Sequence, residues 1–381
     1  MTATLDILQK LVGFDTVSAR SNLGIVAYIE DFLRARGFAV TRVPDATGQK
    51  AGLFASIGPE GAGVMLSAHT DVVHVEGQAW TRDPFRLTDE GERVYGRGTT
   101  DMKGYLAAML SAADRAAQRP LKEPLKLAIS YDEEVGCIGI AQMIDALEPA
   151  IGLPRACLVG EPTEMQVAIG HKGKAALRAT CHGQAGHSAL APQFVNALHL
   201  ATDFVTGLRG LQDWLIQHGA RDEAYAFPHS TVHVGTLSGG RALNIVPDRA
   251  ELYFEFRHLA ADDPGMLRNR IEEIADTICA TYRDRFAEAR IEIEAGFSYP
   301  GIEMDEGAAV TKLAQALAQT NATTKVAFGT EAGYFDRLGI PTVVCGPGSM
   351  EGQGHKPDEY VTKAQLAACD AMMDRLIDSL C

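Results

Sequence analysis

The stretch MLSAHTDVVHVEGQAWTRDPFRLTDEGERVYGRGTTDMK, residues 65–103, decides how this chain reads. It starts as an apolar run, which ends in His69 and Asp71, two residues apart. It closes on Asp101, in a glycine-rich turn that opens into a helical pattern. An apolar run that ends in polar groups predicts a buried strand delivering functional side chains at its C-terminal end. Side chains two apart on an extended chain share a face, so Asp71 can reach the far nitrogen of His69. A carboxylate in that place fixes the tautomer and raises the basicity of a metal-binding imidazole.

Outward from this stretch the same grammar repeats. Apolar runs at 52–57, 63–68, 125–130, 156–159 and 342–345 predict strands. Helical period appears at 5–12, 25–36, 102–118, 140–147 and 308–319, with Gly37 as a C-cap. This alternation predicts an α/β class with a mostly parallel sheet covered by helices on both faces. The middle of the chain differs. Residues 174–182, 229–237, 250–258 and 289–297 alternate like half-buried strands, and 195–211 and 263–286 are helical. Strand, helix, strand, strand, helix, strand is the α+β split βαβ order, the ferredoxin-like arrangement. The expected organisation is a first domain of 1–172 and 299–381, with 173–298 inserted into it.

The chemistry-bearing residues fall at related places. Glu133 and Glu134 follow the run that ends at residue 131. Glu161 follows 156–159 in CLVGEP, and His355 follows 342–345 in GPGSMEGQGHKPDEY. With His69, Asp71 and Asp101, each is expected at the C-terminal end of a strand, where open α/β sheets bind ligands. Taken singly, a loop histidine is usually solvated, an acidic pair is a solvated turn, and an Asp at a helix start is an N-cap. Those explanations do not account for the shared edge, whereas a hydrolytic metal site does.

Composition narrows the classes. A chain of 381 residues is suited to two cores. The formal charge of −14 argues against nucleic acid and against an anionic membrane surface as partners. No apolar segment is long enough to span a bilayer, and MTATLDILQKLVGF reads as an amphipathic helix and not a leader, so a cytoplasmic location is expected. Seven cysteines, scattered and without a C-x-x-C, fit reduced thiols better than disulfides or sulfur-bound zinc.

H-T-D (69–71), G-R-G-T-T-D-M-K-G (96–104), D-E-E-V-G (132–136), G-E-P-T (160–163) and H-K-P-D-E-Y (355–360) together resemble the dizinc family of acetylornithine deacetylase, succinyl-diaminopimelate desuccinylase and carboxypeptidase G. The resemblance runs through nearly the whole chain. It implies a zinc-exopeptidase-like catalytic domain with an inserted lid or dimerisation domain, and a homodimer. It also implies two Zn²⁺ per subunit, with Co²⁺ able to substitute. By motif, His69 and Glu161 would bind one zinc and Glu134 and His355 the other. Asp101 would bridge them, with a cis peptide to Met102. Glu133 would be the general base and Asp71 the partner of His69. His187, in G-Q-A-G-H-S-A, would steady the oxyanion in the partner subunit's site. Asn244 and Arg257 would contact the substrate carboxylate, an Arg offering a bidentate fork that Lys cannot.

Within the family, F-G-T-E-A-G-Y-F (328–335) and V-C-G-P-G-S (344–349) lean toward the acetylornithine deacetylase branch. Gly329, Thr330 and Glu331 would form the specificity loop, with Glu331 paired to the δ-ammonium of N2-acetyl-L-ornithine, an arginine-biosynthesis substrate. Tyr334 stands where the desuccinylases carry an Arg suited to a succinyl carboxylate. A desuccinylase, a deacylase of another N-acyl amino acid and a dipeptidase remain open as alternatives. A non-catalytic scaffold would have no use for Glu133.

Overall fold

The computed structural model describes residues 3–381. The chain folds into two compact units. The first comprises residues up to His171 together with Ile302–Val326 and Thr330–Cys381, and the second comprises Lys172–Gly301 with Ala327–Gly329.

The first unit is built on a mixed sheet. Its strand order is Ala39–Pro44, Ala51–Ile57, Leu125–Ser130, Val64–His69, Ala156–Pro162, Thr342–Gly346, Val167–His171 and Ile302–Glu303, and Thr323–Val326 also pairs with Val167–His171. Leu125–Ser130, Val64–His69, Ala156–Pro162 and Thr342–Gly346 run parallel to one another, whereas the strands flanking this centre are antiparallel to it. Every residue of those four strands is buried, which is why their sequences are continuous apolar runs. Even Lys126 is drawn in, its Nζ donating to the Gly152 carbonyl at 3.1 Å.

The register sets Leu66 beside Leu158 and Ser67 beside Val159. Alternation therefore sends Leu66, Leu158 and Gly160 to one face and Ser67, His69, Val159 and Glu161 to the other. The first face packs on the helix Lys103–Ala116, and a Cβ at Gly160 would lie 2.0 Å from the Tyr105 ring. The helices Ala3–Val12 and Lys363–Leu380 pack against that helix in turn.

Three features depart from the sequence reading. The helix expected at 140–147 is broken into Ile138–Met143, a 3₁₀ turn and Leu147–Ile151. The C-terminal helix Lys363–Leu380 is not among the expected helices, although Leu366, Cys369, Met372, Met373, Leu376, Ile377 and Leu380 recur at helical spacing. Asp101 is not at the end of a strand of the main sheet. It follows Arg93–Tyr95, which belongs to a separate three-stranded sheet with Thr88–Glu90 and Tyr360–Thr362. The glycine-rich turn carries it from that sheet to the start of the buried helix.

The second unit is a four-stranded antiparallel sheet in the order Thr231–Gly239, Arg249–His258, Gly173–His182, Arg290–Tyr299. The helices Ala197–His218 and Pro264–Tyr282 cover one side of it, capped by the side chains of Asn196 and Asp263. Leu177, Ala179, Phe204, Leu252, Phe254, Phe256 and Ile271 form its core. The split βαβ order of the sequence thus appears as one helical layer on one sheet. All seven cysteines are free, and none of the described helices is long and apolar enough to cross a membrane.

Candidate metal centre

His69 is the last residue of its strand and is fully enclosed. Its Nδ1 lies 3.0 Å from the Asp71 carbonyl and 3.4 Å from Asp71 Oδ1. Those contacts place a proton on Nδ1 and leave Nε2 as the nitrogen that faces the carboxylates of the cluster. Nε2 lies 3.2 Å from Asp101 Oδ1 and 3.6 Å from Glu161 Oε1. The other oxygen of Asp101 lies 3.4 Å from His355 Nε2, which is 2.9 Å from Glu134 Oε2. One carboxylate therefore stands between two imidazoles, each with its own glutamate. The Asp101–Met102 peptide is cis.

Asp71 ties this cluster to the acidic turn. Its Oδ1 accepts from the Glu133 N–H at 3.1 Å, and its Oδ2 accepts from the Glu134 N–H at 3.3 Å and the Ser18 hydroxyl at 2.7 Å. The turn that sequence alone would leave solvated is thus held against the strand end by a buried carboxylate. Glu133 Oε1 accepts from the Cys137 thiol at 3.4 Å.

Electrostatics describe a centre that demands positive charge. Burial, and then repulsion from Asp101 and other carboxylates of the cluster, pushes Glu161 well above its ordinary range and Glu134 up to about 7. Burial also pushes Glu133 well up, with Glu134 and Asp101 adding to it against the pull of His69. Asp101 and Glu134 raise His355 to about 10. Against burial, hydrogen bonds to Asp101 and Asp71 hold His69 well above the usual imidazole range. Burial opposes it, yet contacts with both histidines keep Asp101 low.

The donor set fits divalent cations. Ligand atoms of His69, Glu133 and Glu161 lie within 4.8 Å of one another, as do those of His69, Asp101 and Glu134. Glu134 Oε1 and Glu161 Oε1 are buried with no hydrogen-bond partner, and a cation would satisfy them. Nitrogen and carboxylate oxygen without thiolate suit Zn²⁺, Co²⁺ or Mn²⁺.

The substrate candidates divide between the units. In the first, Thr330 is buried, with its hydroxyl against His171 Nε2 at 3.1 Å and accepting the Ala332 N–H at 3.0 Å. Glu331 is 1% exposed. Ser67 donates to its Oε2 at 3.3 Å, and its Oε1 has no hydrogen-bond partner. In the second unit, Asn244 is exposed on a loop, and Arg257 pairs with Glu255 at 3.0 Å and reaches the Ala327 carbonyl at 3.4 Å, near Gly329. His187 is exposed, and its Nδ1 accepts the Ala189 N–H at 3.1 Å, so Nε2 carries the proton and faces outward as a donor.

Sequence reasoning did not assign Arg97, Glu359, Ser18 or Lys103. Arg97 and Glu359 are each 1% exposed and joined at 2.6 Å. Both lie inside quoted motifs, so a charged residue in a glycine-rich turn and the acid after His355 were the available signals. Lys103 is fully buried and donates to the Phe14 carbonyl at 2.7 Å.

The chain is 34% identical to an acetylornithine deacetylase of Myxococcus xanthus over 98% of its own length and 96% of that protein's. It is 31% identical to an acetylornithine deacetylase of Klebsiella pneumoniae (strain 342), covering 99% and 97%. Among solved structures, its fold is similar to an M20 family metallo-carboxypeptidase of Sulfolobus solfataricus, with TM-score 0.80 at 18% identity and 99% of both chains covered. It is also similar to a tripeptidase of Staphylococcus aureus, with TM-score 0.78 at 20% identity, covering 99% and 98%. Residues 65–379 match the sequence profile of peptidase family M20/M25/M40, and the chain is an amide-bond hydrolase belonging to that family.

Proposed function

We propose that this hydrolase removes the acetyl group of N2-acetyl-L-ornithine, giving L-ornithine and acetate, at a centre of two Zn²⁺ ions that Co²⁺ can replace. The observation that carries the metal reading is Asp101, whose two oxygens face His69 and His355 at 3.2 and 3.4 Å. His69, Asp101, Glu134, Glu161 and His355 are the residues that would hold the ions. Held there, such cations would supply Lewis acidity toward the scissile carbonyl and toward water.

The chain's own groups do the rest. Glu133 takes a proton from the attacking water as its oxygen bonds to the acetyl carbon, then gives that proton to the leaving nitrogen as the C–N bond breaks. Asp71 holds His69 in the required tautomer and fixes the Glu133–Glu134 backbone. His187 Nε2 supplies a donor for the oxyanion, from the partner subunit of a homodimer assembled through the second unit. Arg257 and Asn244 receive the α-carboxylate, and Gly329 and Thr330 shape the loop around the substrate.

Specificity is assigned to Glu331. A buried carboxylate oxygen with no donor is what a substrate ammonium would satisfy. Tyr334, in place of a cation, disfavours a succinyl group. The enzyme acts in the cytoplasm on an arginine precursor. The test is amine release by zinc- or cobalt-loaded protein from N2-acetyl-L-ornithine beside N-succinyl-L,L-diaminopimelate. Chelator-sensitive turnover of the first alone is expected. Turnover of the second alone overturns the substrate assignment, and activity unaffected by chelation overturns the metal reading.

A further inference from the structure

We propose that Glu359 is the positioning residue of the metal centre, setting the bridging Asp101 and the distant His355 in one frame; the inference rests on the two-metal reading above. Asp101 and His355 are far apart in sequence, and neither is held by the main parallel sheet. Asp101 rides on the turn after Arg93–Tyr95, and His355 sits in a loop with the left-handed φ of 61°. What links their backbones is a network centred on one buried carboxylate.

Glu359 Oε1 accepts the backbone N–H groups of Thr100 at 2.8 Å and Asp101 at 3.1 Å. Its Oε2 accepts the Gly98 N–H at 3.1 Å and Arg97 Nη1 at 2.6 Å. Three backbone donors of the turn, from Gly98, Thr100 and Asp101, and one guanidinium thus converge on a buried carboxylate. The same Arg97 reaches back to the His355 loop. Its Nη1 donates to the Lys356 carbonyl at 3.3 Å and its Nη2 to Gln78 Oε1 at 2.6 Å. Gln78 Nε2 then donates to the His355 carbonyl at 3.1 Å. The backbone on both sides of the Asp101–His355 pair is therefore fixed by one Glu359–Arg97–Gln78 network.

This geometry separates positioning from mere adhesion. A residue that only glued two segments together would need no set of turn N–H groups aimed at it. Here the donors belong to the bridging ligand itself and its immediate neighbours, so a shift of the Glu359 carboxylate moves Asp101 directly. Ligand placement errors below an ångström are what outer partners of metal sites exist to prevent.

The experiment titrates metal-free protein with Co²⁺, reading visible d–d absorption and stoichiometry, with thermal melting alongside. The parent is expected to take up two equivalents. In Glu359→Gln the amide nitrogen meets N–H donors, and the second equivalent is expected to bind about 10- to 100-fold more weakly, with the first less affected. Because this variant also strands a buried guanidinium, the double variant Arg97→Met/Glu359→Gln accompanies it. Recovery of melting temperature without recovery of the second Co²⁺ supports positioning. A second Co²⁺ bound as tightly in Glu359→Gln as in the parent overturns the proposal, as does recovery of both properties together in the double variant. If the parent itself takes up fewer than two equivalents, the two-metal reading falls and this inference with it.

Discussion

Replacing Glu331 by Gln should raise stability and lower activity, each by an amount the structure sets. Burial pushes Glu331 from its ordinary 4.5 up to about 7, against the pull of the Ser130 and Ser67 hydroxyls and of His69. An acid that binds its proton more tightly in the folded state favours folding fully below about pH 4.5. That contribution is lost as pH rises through about 7. At about 1.36 kcal/mol per pH unit, the loss by pH 8 is about 3 kcal/mol. Gln has the shape of the protonated acid and does not ionise, so Glu331→Gln should be more stable than the parent by about that amount at pH 8 and equal to it near pH 4. In the enzyme the same change removes the partner proposed for the substrate ammonium. A hydrogen bond to a charged group contributes about 1.5–3 kcal/mol, so kcat/KM for N2-acetyl-L-ornithine should fall about 10- to 100-fold. N2-acetyl-L-citrulline, with no side-chain charge, should lose little. Denaturant unfolding of metal-free protein at pH 4, 6 and 8 reads the first effect, and initial rates on both substrates read the second. A stability difference that does not vary with pH refutes the electrostatic argument. An unchanged KM for the ornithine substrate refutes the pairing.

Glu133→Gln should keep its metal content and lose about 10²–10⁴ in kcat, since it removes a positioned base without touching the proposed ligands; metal analysis beside steady-state rates checks this. Asp71→Asn keeps at most one acceptor oxygen where the Glu133 and Glu134 N–H groups and Ser18 all donate, so metal affinity or activity should fall about 10- to 100-fold, read by chelator competition. Burial lowers Lys103 to about 7, so the folded state holds fewer protons than the unfolded one between about pH 7 and 10, and stability from this group rises with pH across that window. Lys103→Met should abolish that rise, seen as a parent–variant difference in denaturant midpoint at pH 7 that shrinks by pH 10. Zn²⁺ at about 100 times its dissociation constant should add about 2.7 kcal/mol to stability, and a chelator should reverse it.

The sequence by itself determined the elements whose residues must be apolar throughout or apolar by period. The four parallel strands are legible because burial on both faces leaves no polar position, and the second unit because one face of its sheet meets helices and the other does not. His69, Asp71 and Glu161 are legible for the same reason, as the first polar side chains past such runs. Glu133 and Glu134 are ordinary in isolation and become distinctive only beside the others. Tertiary structure alone decided how the cluster is held. Asp101 comes from a small separate sheet, and His355 from a loop whose left-handed backbone no periodicity announces. The backbone of Asp101 is held by Glu359, itself paired with Arg97, and local sequence carries no record of which distant N–H groups a buried carboxylate will collect. Nor does it say that Glu331 lies against Ser67, because that contact is made between a helix start and a strand far away in the chain. Periodicity reports on the faces of one element, whereas a metal centre depends on distances between elements, which only their packing fixes.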